Sequence, residues 1–396
     1  MSYFLIAVVI SFPLSVTLHH GLISVGVLYF IYKLFKEKKY PSLTLLGNPL
    51  HLFNFSTLAS AFLYMPEKLR EAFSSSFLRY GYLLPFVETS RWEKLFYNIN
   101  RLLVLEGLIL IPVFLYNFFV ENRMKLLWGN MMKVAEIYAL FTLSAVFLAL
   151  YKRSIFYTFL AVVFFLIMAV PVRRAEILGV LMTLFLLGIL YLRDNPGYVK
   201  RVLAALAVAL LTGCGGFYYM AEKEKDPRFR VVIEILKGEK ELSEETINRL
   251  TTTRWNNLKA GLVIIGRDFK NTDIVPLLIG HGIYSGHKLV PPPPNGLPYY
   301  ESVVFVQEMI QRGILGLIAM ILIFIRSLKL FISVDLRKRE NLMLSSMASY
   351  LVFYNFSSLF TPYVNATFPV ALFMFGLAEA CIRKSPTGRI QKEFHN

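Results

Sequence analysis

Cysteine is nearly missing from the 396 residues: Cys214 and Cys381 each lie inside an apolar run, which excludes a disulfide framework and a thiolate metal site. Charge is scarce as well. Only 17% of residues are charged against 56% hydrophobic, with a mean hydropathy of +0.54, and a soluble globular domain does not have that balance. Acidic residues are the scarcer sign, 26 against 42 Lys and Arg, for a net charge of +16. The basic residues gather in short clusters between apolar runs, the pattern of loops facing an anionic leaflet, so membrane lipid is the expected partner and nucleic acid is not. No basic leader or small-residue cleavage site accompanies the first apolar stretch, which is therefore read as a retained helix. No internal repeat is evident, so an inverted-repeat transporter architecture has no support.

What is present in quantity is long apolar sequence. At about 20 apolar residues per bilayer crossing, the chain offers about twelve candidates: Tyr3–Leu18, Leu22–Phe35, Leu45–Met65, Phe73–Val87, Leu102–Val120, Val134–Tyr151, Ile155–Pro171, Ile177–Leu192, Val202–Met220, Val303–Ile325, Leu342–Phe360 and Tyr363–Ile382. Phe73–Val87 is the weakest, because it contains Arg79 and a proline. The expected fold is an all-α polytopic membrane protein: helices one to nine over residues 1–220, a loop domain over 221–301, then helices ten to twelve and a tail over 302–396. Lys36, Lys38 and Lys39, Lys152 and Arg153, Arg193 with Lys200 and Arg201, Arg337 to Arg339, and the tail from Arg383 to Lys392 fall on one face if twelve spans alternate. Short basic loops stay cytoplasmic, which places both termini inside and the long loop outside.

That loop reads as mostly helical. Asp226 to Arg249 is polar helix, with Ser243 ahead of Glu244 and Glu245 as a helix start. Trp255, Leu258, Leu262 and Ile265 recur at three- and four-residue steps, which predicts an amphipathic helix from Thr253 to about Phe269. Gly280, Gly282, Gly286 and four consecutive prolines then impose a shaped, stiff loop.

Against the positive-inside rule, "VPVRRAEI" puts Arg173 and Arg174 on the outer face. Two accounts fit: arginines snorkelling to lipid phosphates at a helix end, or a clamp for a diphosphate, whose oxygens match the guanidinium fork. Arg254 opens the loop's amphipathic helix and is either a solvated Arg beside Trp255 or part of an anion site. His281 and His287 stand six residues apart in a glycine-rich loop, without the spacing of a helical metal pair, so no metal is expected. Tyr284, Tyr299 and Tyr300 can stack on sugar rings, although interfacial aromatics need no such reason. Glu106 and Glu136, in or near spans, are expected to pair with Arg79 or Arg123.

"RWNNLKAGLVIIGRDFKNTDIVPLLIGHGIYSG" followed by "ESVVFVQEMIQRGILGL" resembles the shared region of the bacterial O-antigen ligase and O-antigen polymerase superfamily. Arg254, Trp255, Pro276, Gly280, Gly282, Gly313 and Gly316 follow that pattern in order, and "VRRAEILGVL" is similar to an upstream motif in which an Arg opens a span at the periplasm. The resemblance covers about Pro171 to Leu317. Ligases of the superfamily have a His-Asn pair where this chain has Glu301 and Ser302, a departure that favours a polymerase.

The resemblance implies a GT-C-type glycosyltransferase of the bacterial inner membrane, with its site facing the periplasm. The implied reaction is inverting transfer from an undecaprenyl-diphosphate-linked glycan, with no cofactor and no metal, to a glycan or to lipid A-core. It leaves room for a chain-length regulator as partner. On that reading Arg173, Arg174 and Arg254 stabilise the departing diphosphate, and Glu301, or alternatively His281, takes the acceptor's proton. Glu301 has a plainer explanation too, as an acid favoured at a helix start. A transporter or flippase for lipid-linked sugar is the reading from another class; it would also want cations near a diphosphate, but with polar breaks at mid-membrane.

Overall fold

In a computed structural model, residues 2–37, 44–87, 92–171, 173–198, 227–251, 254–289, 303–359, 361, 363 and 365–384 are described. Among them there is no strand; the protein is all-helical and membrane-embedded. Among the described residues eight α-helices precede the loop: α1 (Ser2–Leu14), α2 (Val16–Glu37), α3 (Gly47–Tyr64), α4 (Leu69–Arg79), α5 (Trp92–Phe119), α6 (Met131–Lys152), α7 (Ile155–Ala169) and α8 (Arg174–Asp194). The loop holds α9 (Pro227–Leu236), α10 (Glu244–Thr251), α11 (Arg254–Asn271), α12 (Ile274–Ile279) and α13 (Gly286–Leu289). Then come α14 (Val304–Ser333), α15 (Arg339–Ser358) and α16 (Phe368–Lys384).

Among the described residues five helices, α2, α5, α6, α8 and α14, are long and apolar enough to cross a membrane by length and composition. The other expected spans fall on shorter or less apolar helices, and Val202–Met220 lies outside the described residues. Phe73–Val87 is not one helix: α4 ends at Arg79 and a 3-10 segment, Tyr80–Val87, carries Pro85, which cannot donate to a helical ladder. The first turn comes at Ser15, earlier than expected, and His19 is buried inside α2 with its Nδ1 2.7 Å from the Val8 carbonyl.

The centre of the bundle is α6 and α15, buried along nearly their whole length. Apolar packing alone gives little specificity between helices surrounded by lipid, so polar links matter there. Asn100 of α5 donates to Ser346 of α15 at 2.7 Å, and Ser144 of α6 meets the Tyr350 hydroxyl. α8 approaches α15 closely at Gly179, where a Cβ would strike Ser357. Asn130 caps α6 by accepting from the Met132 amide.

The contacts sort the charges to the two ends of α8, about 31 Å apart at 1.5 Å per residue. At its C-terminus Arg193 donates to the Ile332 carbonyl at 3.0 Å, Asp194 accepts from the Leu336 amide, and Arg337 pairs with Asp335 at 2.9 Å. That guanidinium holds the Asp335 carboxyl below the usual carboxylate range. Lys152 and Arg339 lie over the Tyr151 ring at 5.4 and 6.0 Å. This basic end thus unites clusters far apart in sequence. At the other end, the cap end, Arg174 touches the loop helices.

In the loop, the expected Asp226 to Arg249 helix is two helices, α9 and α10, with Gly238 between them at φ +74. Ser243 does start α10, its hydroxyl accepting from the Thr246 amide at 3.2 Å. The expected pairing of Glu106 and Glu136 with Arg79 or Arg123 does not occur. Glu136 binds Lys133, Asn365 and Thr367 at the start of its own helix. Both carboxylate oxygens of Glu106 lack a hydrogen-bond partner among the described residues, and Arg79 has other partners.

Candidate functional site

The glycine motif pieces meet at one place. α14 is broken at Gly313, with φ 64 and ψ −169, a conformation open essentially only to glycine. A broken helix frees carbonyls that must find donors where water is scarce. His281 N donates to Ile310 O at 2.7 Å, Gly282 N to Gln311 O at 3.1 Å, and the Ser56 hydroxyl of α3 to Arg312 O. The turn after α12 is held by Gly280 N donating to Pro276 O at 2.8 Å. A Cβ on Gly280 would collide with the backbone of Gln311 and Arg312, and one on Gly313 with the backbone of Leu278 and Ile279. The G-x-G turn and the G-x-x-G helix are therefore two halves of a backbone interlock between α12, α14 and α3.

That interlock fixes His281. Its Nε2 lies 2.7 Å from Asp268 Oδ2, both side chains are largely buried, and the ring sits 5.8 Å from that of Tyr64. Asp268 orients the imidazole as a carboxylate orients a base. Farther along, Tyr284 is half-exposed under the Lys68 ammonium at 5.0 Å, and Lys288 pairs with Glu67 at 2.8 Å. The Lys288 hydrogen bond holds the Glu67 carboxyl below its ordinary range. These two contacts tie the loop to the α3–α4 junction.

The arginines gather separately. Arg174 Nη1 donates to Leu250 O at 3.2 Å, one turn ahead of Arg254 in sequence, and Arg173 lies 3.5 Å from the buried Glu176. The α10–α11 turn is closed by Asn256 N donating to Asn248 Oδ1 at 3.0 Å and Trp255 N to Thr251 Oγ1 at 3.3 Å. Val303, where α14 begins, and Leu258 and Ile265 of α11 all pack against the buried cluster of Ile264, Val306 and Ile310. The VRR turn thus meets the end of α10, just ahead of Arg254 in sequence, while the first turns of α14 meet the middle of α11. His281 does not join them: its partner Asp268 is fourteen residues beyond Arg254, about 21 Å along one helix. Glu301, Tyr299 and Tyr300 lie outside the described residues, as does the side chain of His287.

A second cationic cluster escaped the sequence reading. Arg312 of α14 donates to Glu308 at 2.6 Å and to Thr57 at 2.9 Å; Arg79 of α4 donates to Asn54 at 2.7 Å and Ser75 at 3.2 Å. Both guanidinium carbons lie within 5 Å of the Phe53 ring centroid, at 4.7 and 4.9 Å. Arg79, Arg312 and Glu308 are buried, one carboxylate against two cations. The i,i+4 spacing of Glu308 and Arg312 was the available signal. Glu308→Gln should cost about 3–5 kcal/mol by leaving both guanidiniums unneutralised; an unchanged thermal unfolding midpoint in detergent would show that the pair does not hold the fold.

No family model matches the chain. An uncharacterized protein of Aquifex aeolicus (strain VF5) is 28% identical over 375 residues, covering 94% of each chain. The similarity runs over nearly the whole of both chains and says nothing of the chemistry.

Proposed function

We propose that the protein is an inner-membrane glycosyltransferase of GT-C type with about twelve spans, which polymerises undecaprenyl-diphosphate-linked oligosaccharide units at the periplasmic face. The observation that carries this reading is the meeting of Arg173, Arg174 and the Arg254 turn at the cap end, away from the basic end, together with the interlocked glycine motif. As the glycosyl C1–O bond breaks, negative charge grows on the diphosphate, and fixed guanidiniums in a partly dry cleft stabilise it without metal. The acceptor hydroxyl attacks from the opposite face, inverting the anomeric centre, and loses its proton to Glu301. Asp268, the partner of His281, stands fourteen residues beyond Arg254 on α11, which favours Glu301 over His281 as base. His281 then positions the interlock through Asp268.

Purified protein given lipid-linked glycan tests the reading. A ladder of lengthening products supports the polymerase, and modification of lipid A-core assigns the runner-up ligase activity. Lipid-linked sugar bound or moved across vesicles with no covalent product would replace both with a transporter.

Replacing Arg173 and Arg174 together with alanine should weaken donor binding by at least about 10-fold, since each charge-assisted hydrogen bond contributes roughly 1.5–3 kcal/mol. Unchanged affinity in a direct binding titration returns the pair to snorkelling.

A further inference from the structure

The apolar stripe of α11 is real, but the described residues cover it only in part, through the packing of Leu258 and Ile265 against the Ile264, Val306 and Ile310 cluster. Trp255, Leu258, Leu262, Ile265 and Phe269 share one side of the helix at three- and four-residue steps. Trp255, Leu262 and Phe269 remain 38%, 53% and 63% exposed. The helix packs on the protein through a different line, Gly261, Ile264 and Asp268, with Ile264 against Val306 and Ile310 of α14. Its third side is exposed and mostly polar: Asn256, Lys259, Arg267 and Lys270, with Val263 among them. A helix with one face docked, one apolar and one basic suits the boundary between hydrocarbon and headgroups.

The neighbouring surface identifies what covers the stripe. α12 follows with Ile274, Val275 and Leu278 exposed. The Leu278 backbone lies against Gly313, next to Ile314, and beyond that break Ile314, Ile318, Ile321, Ile325 and Ile332 are the exposed large apolar residues of α14, a helix long and apolar enough to span. α12 thus lies beside the exposed apolar flank of α14, and α11 leads into α12 through the exposed residues Asn271, Thr272 and Asp273. Exposed apolar side chains on three neighbouring helices would be unusual in water for a stable protein.

We propose that α11 and α12 form a membrane-interface element, whose Trp255, Leu262, Phe269, Ile274, Val275 and Leu278 side lies in the acyl chains of the leaflet at the cap end. The loop is then anchored to the bilayer as well as to the bundle, and the basic side of α11 sits at headgroup level. This surface is independent of any glycosyl transfer.

Spin labels on Leu262→Cys and Phe269→Cys, against Asn256→Cys and Lys270→Cys, test it in protein lacking Cys214 and Cys381 and reconstituted in phosphatidylethanolamine–phosphatidylglycerol vesicles. The ratio of oxygen to nickel-chelate collisions should be severalfold higher at 262 and 269 than at 256 and 270. A nickel-favouring ratio at 262 and 269 would put the stripe in water and overturn the proposal. Low collision with both reagents would mean that protein covers it, either another segment of this chain or a second copy, and would overturn it equally. Trp255 fluorescence, with Trp92→Phe and Trp128→Phe, leaves the stripe unaltered; lipids brominated near the headgroup should quench it, and absence of quenching contradicts the proposal.

Discussion

Replacing Arg254 with alanine should lower glycosyl transfer by at least about 100-fold, in the range seen when a group stabilising transition-state charge is removed, while the protein stays folded and in the membrane. Arg254 opens α11, and the turn behind it is closed by Asn248, Asn256 and Thr251, none of which needs the guanidinium in the contacts above. The loss should therefore fall on turnover and leave thermal unfolding nearly unchanged. Arg254→Lys should recover only part of the activity, because an ammonium keeps the charge and loses the fork. Activity within a few-fold of the unaltered protein would remove Arg254 from the site.

Gly280→Ala should have the largest structural effect. The residue sits at φ 84 and ψ 176, a conformation that costs a side chain about 1–3 kcal/mol. Its Cβ would also meet the backbone of Gln311 and Arg312, which no rotamer change relieves. The interlock should open, exposing the segment from α12 to α13 to protease and lowering the unfolding midpoint. Gly266→Ala is the control: nothing lies near its Cβ, and alanine in a helix interior gains up to about 1 kcal/mol over glycine. Equal protease resistance of the Gly280 variant and the control would show that the turn is not wedged against α14.

The two glycine variants also mark what was legible in the sequence. Turn residues carry their constraint locally, so Gly280, Gly282 and Gly313 could be ordered along the chain; that they pack against one another depends on donors meeting carbonyls from distant helices. The α11 period was equally plain, since hydrophobic spacing reports that a face exists. It does not report what covers the face, and Trp255, Leu262 and Phe269 of that face are exposed. Likewise the basic clusters announced one end of the bundle. Arg312 left a trace in its i,i+4 spacing from Glu308, but Arg79 left none, because Arg79, Phe53 and Glu308 come from three separate helices. Length alone also overstated continuity: Phe73–Val87 is apolar enough to suggest a span, yet Pro85 and the end of α4 at Arg79 break it.

The account depends on the arginine turn and α11 facing the periplasm while the basic end faces the cytoplasm. Labelling of intact cells with a membrane-impermeant maleimide, in protein lacking Cys214 and Cys381, measures this most directly. Lys270→Cys should react from outside, and Lys338→Cys only after the inner membrane is permeabilised. Reaction of Lys338→Cys in intact cells, with Lys270→Cys protected until permeabilisation, would place the arginines on the wrong side of the membrane for the proposed donor and contradict the account.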